Sequence, residues 1–570
     1  MARGTGVDET QARPRHLRPR SRQDRTVAAL SASVALLLVA AGVITWVVVH
    51  DSTRTSTSGA HAVATASPSS APSGTVSPAP STHAAPAAGP ALWQRDVPAP
   101  GPLLVPDLGL AAAAPLPTTN GLSSVLSPLL ADPALHGDSV ALVVADAATG
   151  DVLFDHSGSR AMAPASTLKL AVAAAALQVL GPDHRFTTKV VRGAAADSVV
   201  LVGGGDPTLA GPAAGNAGAG YPAPARLSDL AEATASSLRR AGLTRVRLGY
   251  DATLFAGSRL APGWKSIYVT EGDVAPVSAL EVDEGRTGLT NPPRATDPAA
   301  AAAQAFARLL AADGIAVIAA PSPVTAPAGS RMLASVQSPT LGALVQRMLG
   351  SSDNDLAEAL ARHVAVAADR TPTFAGGARA VAEALGDLGA GSVAAKSFAG
   401  ADASGLSTLD RVKPVALVQL LVRILQPGHP ALSPILGGLP VAGFSGTLSE
   451  RFRVGATSAA AGHVRAKTGS LDGVAALAGY LDDASGRVLV FAIIVNGVHP
   501  IPPPQTAGPT TTATTSPLPS APATGTPPAA TPPGTTPSAA AQAAAAQAAA
   551  TRAEAALDRI VAGLQRCGCQ

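Results

Sequence analysis

Two tracts rich in Pro, Ala, Ser and Thr limit what this 570-residue chain can pack. Residues 51–92 and the stretch from Asn496 to about Pro537 show no apolar periodicity and hold many of the 50 prolines. Such segments bury too little apolar surface to offset the entropy of ordering them, so they read as linkers. Length alone would allow two or three domains; the tracts confine the packed part to the region between them and a short return at the C-terminal end.

The formal net charge of +3 hides a local bias. Arg3, Arg13, Arg15, Arg18, Arg20, Arg22 and Arg25 are opposed only by Asp8, Glu9 and Asp24. A basic tail suits nucleic acid in general, but this one leads into Thr26–Val49, which has no charged residue. As a helix that run would reach about 36 Å, against a hydrocarbon core of roughly 30 Å. A cleavable signal has an apolar stretch of only about 7–15 residues. The expectation is an uncleaved single-pass membrane anchor with the arginines in the cytoplasm and the rest outside. Cleavage at Ala62-Val63-Ala64, giving a secreted protein, is the alternative. No nucleic-acid partner is expected.

The expected organisation is a cytoplasmic tail (1–25), an anchor (26–49) and a disordered stalk (50–118). A catalytic domain follows in two parts, 119–185 and 338–497, with an inserted module at 186–337 between them. A linker (498–537) and a C-terminal helix (538–570) complete the chain. Ser139–Asp146 and Val152–Asp155 read as a hairpin around ATGD, and an Ala/Leu-rich helix begins near Ser166 and stops at Gly181. A single helix, around Leu227–Ala241, is expected in the insert. Ser338–Leu349 reads as a helix, and Asp355 with Glu358 reads as the capping box of the next. His463–Thr468, Gly473–Leu481 and Arg487–Asn496 read as an antiparallel meander, and only the end of the last helix (AALDRIVAGLQ) carries an apolar stripe for docking. Cys567 and Cys569 exclude a disulfide framework. A bridge between such close neighbours is disfavoured, so the CGC end reads as a frayed tail.

Three short motifs carry chemistry. Ser166-Thr167-Leu168-Lys169 gives S-x-x-K at a helix start, where positions i and i+3 share a face. A serine hydroxyl needs a neighbouring base to become a nucleophile, and a lysine can be that base when burial lowers its pKa. Ser352-Asp353-Asn354 gives S-x-N between two helices, with Asp355 expected as the cap so that Ser352 and Asn354 face a cleft. Lys467-Thr468-Gly469 gives K-T-G on a strand, where glycine lets a substrate backbone approach and the lysine supplies positive charge. Each motif alone is common; helix capping or an edge strand would account for the second and third.

Together, in this order and setting, they match the set shared by penicillin-binding proteins and serine β-lactamases. The chain further resembles the D-alanyl-D-alanine carboxypeptidase/endopeptidase branch of low-molecular-mass penicillin-binding proteins, the DacB-like peptidases. The resemblance runs through PASTLKL at 164–170, VGGGDPTL at 202–209, APVSALEV at 275–282, SSDNDLAEAL at 351–360, GFSGTL at 443–448 and VRAKTGSLDGVAALAGY at 464–480. Where that branch has DGSGLS, this chain has Asp402-Ala403-Ser404-Gly405-Leu406-Ser407.

The resemblance implies an α/β (α+β) transpeptidase fold, an antiparallel sheet flanked by helices, with a large insertion between S-x-x-K and S-x-N. It implies that Ser166 attacks a D-Ala-D-Ala carbonyl and becomes an acyl-enzyme, that Lys169 takes its proton, and that Ser352 relays a proton to the leaving amine. Asn354 would bind a substrate amide, Lys467 and Thr468 the terminal carboxylate, and backbone N–H groups of Ser166 and Ser470, next to Gly469, would form the oxyanion hole. Asp251, in GYDATLF, is assigned to the diamino-acid side chain of the stem peptide, with turn capping as the competing reading. Peptidoglycan stem peptides are the expected substrate and β-lactams the expected covalent inhibitors, with no metal or other cofactor.

Other chemistries fail. GFSGT at 443–447 has Thr447 where a nucleophile elbow needs glycine, and His156, His363 and His463 stand singly. A β-lactamase would need a water-activating base, and Glu383-Ala384-Leu385-Gly386-Asp387 does not fit the usual segment. An inactive wall-binding scaffold is the remaining alternative, opposed by the intact motif set.

Overall fold

The computed structural model describes residues 108–135, 139–211, 221–288, 293–388, 397–499 and 538–569. The basic tail, the apolar run 26–49, most of the stalk and nearly all of the 498–537 linker lie outside them. Among the described residues no helix is long and apolar enough to cross a membrane.

Helix α1 (Thr119–Leu130) leads to strands β1 (Ser139–Asp146) and β2 (Val152–His156), then to α2 (Lys169–Leu180). A second region supplies β3 (Thr187–Arg192), β4 (Ser198–Val202), α3 (Leu227–Arg240), β5 (Arg245–Asp251), α4 (Pro298–Ala312), β6 (Ala316–Val317), β7 (Ser322–Pro323) and β8 (Met332–Gln337). Then come α5 (Leu341–Ser351), α6 (Asn354–Ala367), α7 (Phe374–Asp387), the short pair β9 (Phe398–Ala399) and β10 (Arg411–Val412), and α8 (Pro414–Leu425). Strands β11 (Val464–Leu471), β12 (Val474–Asp482) and β13 (Val488–Asn496) precede the last helix, α9 (Ala539–Arg566).

The main sheet has the order β11-β12-β13-β1-β2, antiparallel throughout. Chain ends meet here: β1 pairs with β13, Ser139 opposite Asn496. Alternate side chains serve two cores, as a strand's period of two requires. Val143, Ala478, Val490 and Ile494 face α2, α6 and α8. Leu142, Leu477, Phe491 and Ile493 face α1 and α9. Helix α2 is apolar on all sides, KLAVAAAALQVL, and accordingly nine of its residues are buried.

Only the end of α9 docks. Leu557, Ile560, Val561 and Leu564 are fully buried, each contributing about 1.5–3 kcal/mol, whereas most of the preceding alanines are exposed. The CGC end is not frayed, contrary to expectation. Cys567 and Cys569 are joined as a disulfide, Cys567 is buried, and the Cys569 carbonyl accepts the Thr118 N–H at 2.7 Å. Docking against α1 orders a tail that composition alone left free.

Strands β3–β8 form a separate mixed sheet whose core includes Val190, Leu201, Leu230, Leu248 and Phe306. Phe306 belongs to α4, a second helix here where the sequence suggested only one. Asp297 caps it by accepting the Ala300 N–H at 3.2 Å, and Pro298 opens it.

Candidate active site

Ser166 sits in a 3₁₀ turn, Ala165–Leu168, and the α-helix proper starts only at Lys169. Several contacts fix this turn. Asn496, at the end of β13, clamps the backbone of Ala163, accepting its N–H at 2.8 Å and donating to its carbonyl at 3.0 Å. A side chain at Gly469 would come within 2.8 Å of the Pro164 carbonyl, and one at Gly405 within 2.0 Å of the Ala165 carbonyl. Ala165 has φ +46° and Ser352 φ +60°, left-handed conformations that concentrate at functional sites.

The three motifs converge. Lys169 Nζ donates to Ser166 Oγ at 2.9 Å, Asn354 Oδ1 at 2.7 Å and the Ser404 carbonyl at 2.6 Å. Lys467 Nζ donates to Ser352 Oγ at 3.0 Å and the Thr468 carbonyl at 2.9 Å. Thr468 Oγ1 shares a 2.8 Å hydrogen bond with Thr447 Oγ1. Both lysines are 0% exposed. Burial pushes Lys169 down to about 8, against the opposing pull of Asp402 and Glu358. Burial, then the charge of Lys169, hold Lys467 well below the usual lysine range. Two cations so placed favour a neutral amine, the form that can accept a proton. Lys467 is committed to Ser352 and its own strand and presents no surface contact.

Asp353, not Asp355, caps α6, accepting the Leu356 N–H at 3.0 Å. The expected capping box is absent because tertiary partners claim both its members. Asp355 accepts the Ala275 N–H at 2.7 Å and faces Arg294 at 3.4 Å. Glu358 accepts the N–H groups of Ala403 at 2.9 Å and Ser404 at 2.8 Å, and burial followed by the nearby Asp402 raises it to about 7.

The sequence reading missed the Asp402–Ser407 loop as a contact of Lys169. Asp402 organises it, accepting the N–H groups of Gly405 and Ser407, each at 2.8 Å, and the Trp264 Nε1–H at 2.6 Å. The Ser404 carbonyl thus held is the one that binds Lys169. The signal available was the ASGLS string itself.

A cavity of about 980 Å³ opens against Ser352 and Asn354, with Arg286, Arg347 and Glu284 on its walls. The carboxylates of Glu284, Asp353 and Asp355 come within 4.8 Å of one another. Arg347 bridges Glu284 and Asp353, and Arg294 faces Asp355, so guanidinium groups stand where a cation would, and no metal role is assigned.

Two other residues chosen from the sequence have side-chain partners of their own. Ser470 Oγ donates to Glu554 of α9. Asp251 accepts the N–H and O–H of Thr253 at 2.8 and 2.6 Å and the Ala326 N–H at 2.7 Å. These are the bonds of a turn-capping aspartate, and Asp251 lines a different cavity, of about 420 Å³, beside Phe186 and His363. His363 stacks on Phe186 at 3.8 Å and meets the Gly205 carbonyl at 3.0 Å; burial drops it to about 4. It is a packed histidine.

A helix-flanked antiparallel sheet with this Ser/Lys, Ser/Asn, Lys/Thr arrangement defines the penicillin-binding protein and β-lactamase class of fold. The crystal structure of penicillin-binding protein 4 from Haemophilus influenzae matches with a TM-score of 0.53 at 23% identity, covering 67% of this chain and 94% of that one. That likeness is one of fold. The chain belongs to the D-Ala-D-Ala carboxypeptidase 3 (S13) family, which it matches over residues 122–296 and 292–515, and is a serine peptidase. It is 40% identical to a carboxypeptidase of Mycobacterium tuberculosis over 396 residues, 69% of this chain and 83% of that protein. A D-alanyl-D-alanine carboxypeptidase of Actinomadura is 31% identical over 488 residues, 69% of this chain and 85% of its own length.

Proposed function

We propose that this peptidase removes the terminal D-Ala from peptidoglycan stem peptides through a covalent acyl-enzyme on Ser166, cleaves cross-bridges by the same chemistry, and is acylated by penicillin. The observation that carries the reading is the 2.9 Å bond between Ser166 Oγ and a fully buried lysine with a lowered pKa. Neutral Lys169 takes the Ser166 proton as the oxygen attacks the carbonyl. Backbone N–H groups of Ser166 and Ser470 receive the oxyanion, each such donor being worth about 10²–10³ in rate. Ser352, backed by Lys467, returns a proton to the leaving amine, and collapse releases D-Ala. Water then hydrolyses the ester. Asn354 steadies the substrate amide, while Thr468 and the field of Lys467 hold the terminal carboxylate.

Fluorescent penicillin tests this directly. Wild type retains a covalent label and Ser166→Ala does not. Label lost within seconds would favour a β-lactamase, and no label together with no D-Ala release from a pentapeptide would leave a scaffold. Release from a cross-linked dimer, compared with a pentapeptide, measures the endopeptidase share. We place the catalytic part outside the cell, anchored by 26–49; protease that cuts the stalk only after permeabilisation would refute this.

A further inference from the structure

Asn354, Glu358 and Arg362 recur every four residues along α6 and form one stripe on its surface. The first touches Lys169 at 2.7 Å. The second holds the amides of Ala403 and Ser404, whose loop supplies the Ser404 carbonyl to Lys169. The third donates to Glu358, at 3.2 Å to its carbonyl and 3.4 Å to Oε2.

Arg362 is 1% exposed, yet its Nη2 has no hydrogen-bond partner among the described residues. Its guanidinium lies 4.0 Å from the centre of the Phe374 ring. A buried donor without an acceptor costs free energy that a bound acceptor would recover.

The same arginine lines a cavity of about 560 Å³ between α6 and the β3–β8 sheet, a volume usual for small-molecule sites. Phe255, Val277 and Val324 give it apolar wall, Thr253 and Ser278 give it hydroxyls, and no lining residue is acidic. Its other arginine, Arg259, is already paired with Asp297 at 2.9 Å, so the unfilled donor belongs to Arg362.

We propose that this cavity is a second binding site, separate from the Ser166 cleft, for a small organic carboxylate held by Arg362. The apolar wall selects a carboxylate on a carbon skeleton, and the unfilled Nη2 of Arg362 selects an anionic acceptor. An anion on Arg362 competes with Glu358 for the same guanidinium. Occupancy is therefore felt at the 403–404 amides and, through the Ser404 carbonyl, at Lys169, which also bonds Asn354, eight residues or about 12 Å back along the helix axis from Arg362. By linkage, the state of the catalytic centre alters the affinity of this site in return. Binding itself does not depend on the peptidase reading above.

Isothermal titration of the full chain with benzoate, benzamide and inorganic phosphate tests the site. Benzoate is expected to bind saturably and one to one, with no binding of neutral benzamide. Arg362→Gln should weaken benzoate by about tenfold or more, the loss expected for a charge-assisted bond. Should that buried substitution prevent folding, Val324→Trp decides the matter: Val324 is 41% exposed, and a bulky ring there closes the cavity without touching Arg362. Benzoate affinity unchanged in Val324→Trp, equal binding of benzamide, absence of saturable binding, or phosphate binding more tightly than benzoate would each overturn the proposal.

Discussion

Lys467 Nζ donates to Ser352 Oγ at 3.0 Å across 115 residues of sequence. Ser352 itself is held at φ +60° where α5 ends, so its hydroxyl is presented by a strained joint and gripped by a buried amine. Removing it tests whether this pair moves protons. Ser352→Ala should lower kcat for D-Ala release by about 10²–10⁴, the usual contribution of a positioned acid or base, with little change in KM. Steady-state kinetics on a pentapeptide measure it; an unchanged kcat would rule out the relay.

Lys169 must be neutral to accept the Ser166 proton, and burial brings it to about 8. The acylation rate should therefore rise with pH, pass half-maximum near that value and level off above it. In Lys169→Arg the guanidinium keeps its proton, so acylation should be at least about a hundredfold slower and flat with pH. Single-turnover labelling with fluorescent penicillin gives both curves. A flat wild-type profile would count against the lysine as base.

Gly405 has φ +82°, and a Cβ there would meet the Ala165 carbonyl at 2.0 Å. Gly405→Ala adds a left-handed strain of about 1–3 kcal/mol and pushes on the turn that carries Ser166. Penicillin labelling should fall more steeply than stability, as read by urea unfolding alongside the labelling rate. A stability loss with normal labelling would show the loop to be only structural.

Arg487 grips Asp146 through two hydrogen bonds, 2.6 and 2.8 Å, with Asp146 fully buried. It also donates to the Ala112 and Ala114 carbonyls, at 2.6 and 3.0 Å. Arg487→Met leaves Asp146 buried without its counter-charge, which typically costs about 3–5 kcal/mol. Denaturant unfolding should show that loss. The double variant with Asp146→Leu should recover part of it, because the stranded charge is then gone.

Burial, and then the neighbouring Asp402, raise Asp410 to about 9 from an ordinary 3.8. Between those values the folded chain keeps a proton that the unfolded chain has released, so this group's contribution to stability falls as pH rises through the window. Asp410→Asn stays neutral and can still accept the Ala401 N–H. It should flatten the decline in stability between pH 6 and pH 8.5, as measured by urea unfolding at each pH.

The residues legible in the sequence were those whose chemistry is local. Ser166 and Lys169 are one turn apart, Ser352 and Asn354 flank a helix junction, and Lys467-Thr468-Gly469 follow one another on a strand. Residues that act through distant partners were not legible. Glu358 looked like half of a capping box with Asp355, because glutamate three residues after aspartate fits that pattern equally well. What it does instead depends on Ala403 and Ser404 arriving from another part of the chain. Asp251 was open to two readings because its bonds to Thr253 are local while the one to Ala326 is not.

The sequence by itself determined which motif side chains meet in one cleft, the alternation of the β11–β13 strands, the apolar α2 and the docked end of α9, since these follow from spacing and apolar period. Tertiary structure alone decided that Asp353 rather than Asp355 caps α6, that the Ser404 carbonyl holds Lys169, and that the CGC end packs on α1. In each case several groups of the same chemistry were available, and burial beside a particular partner selected among them.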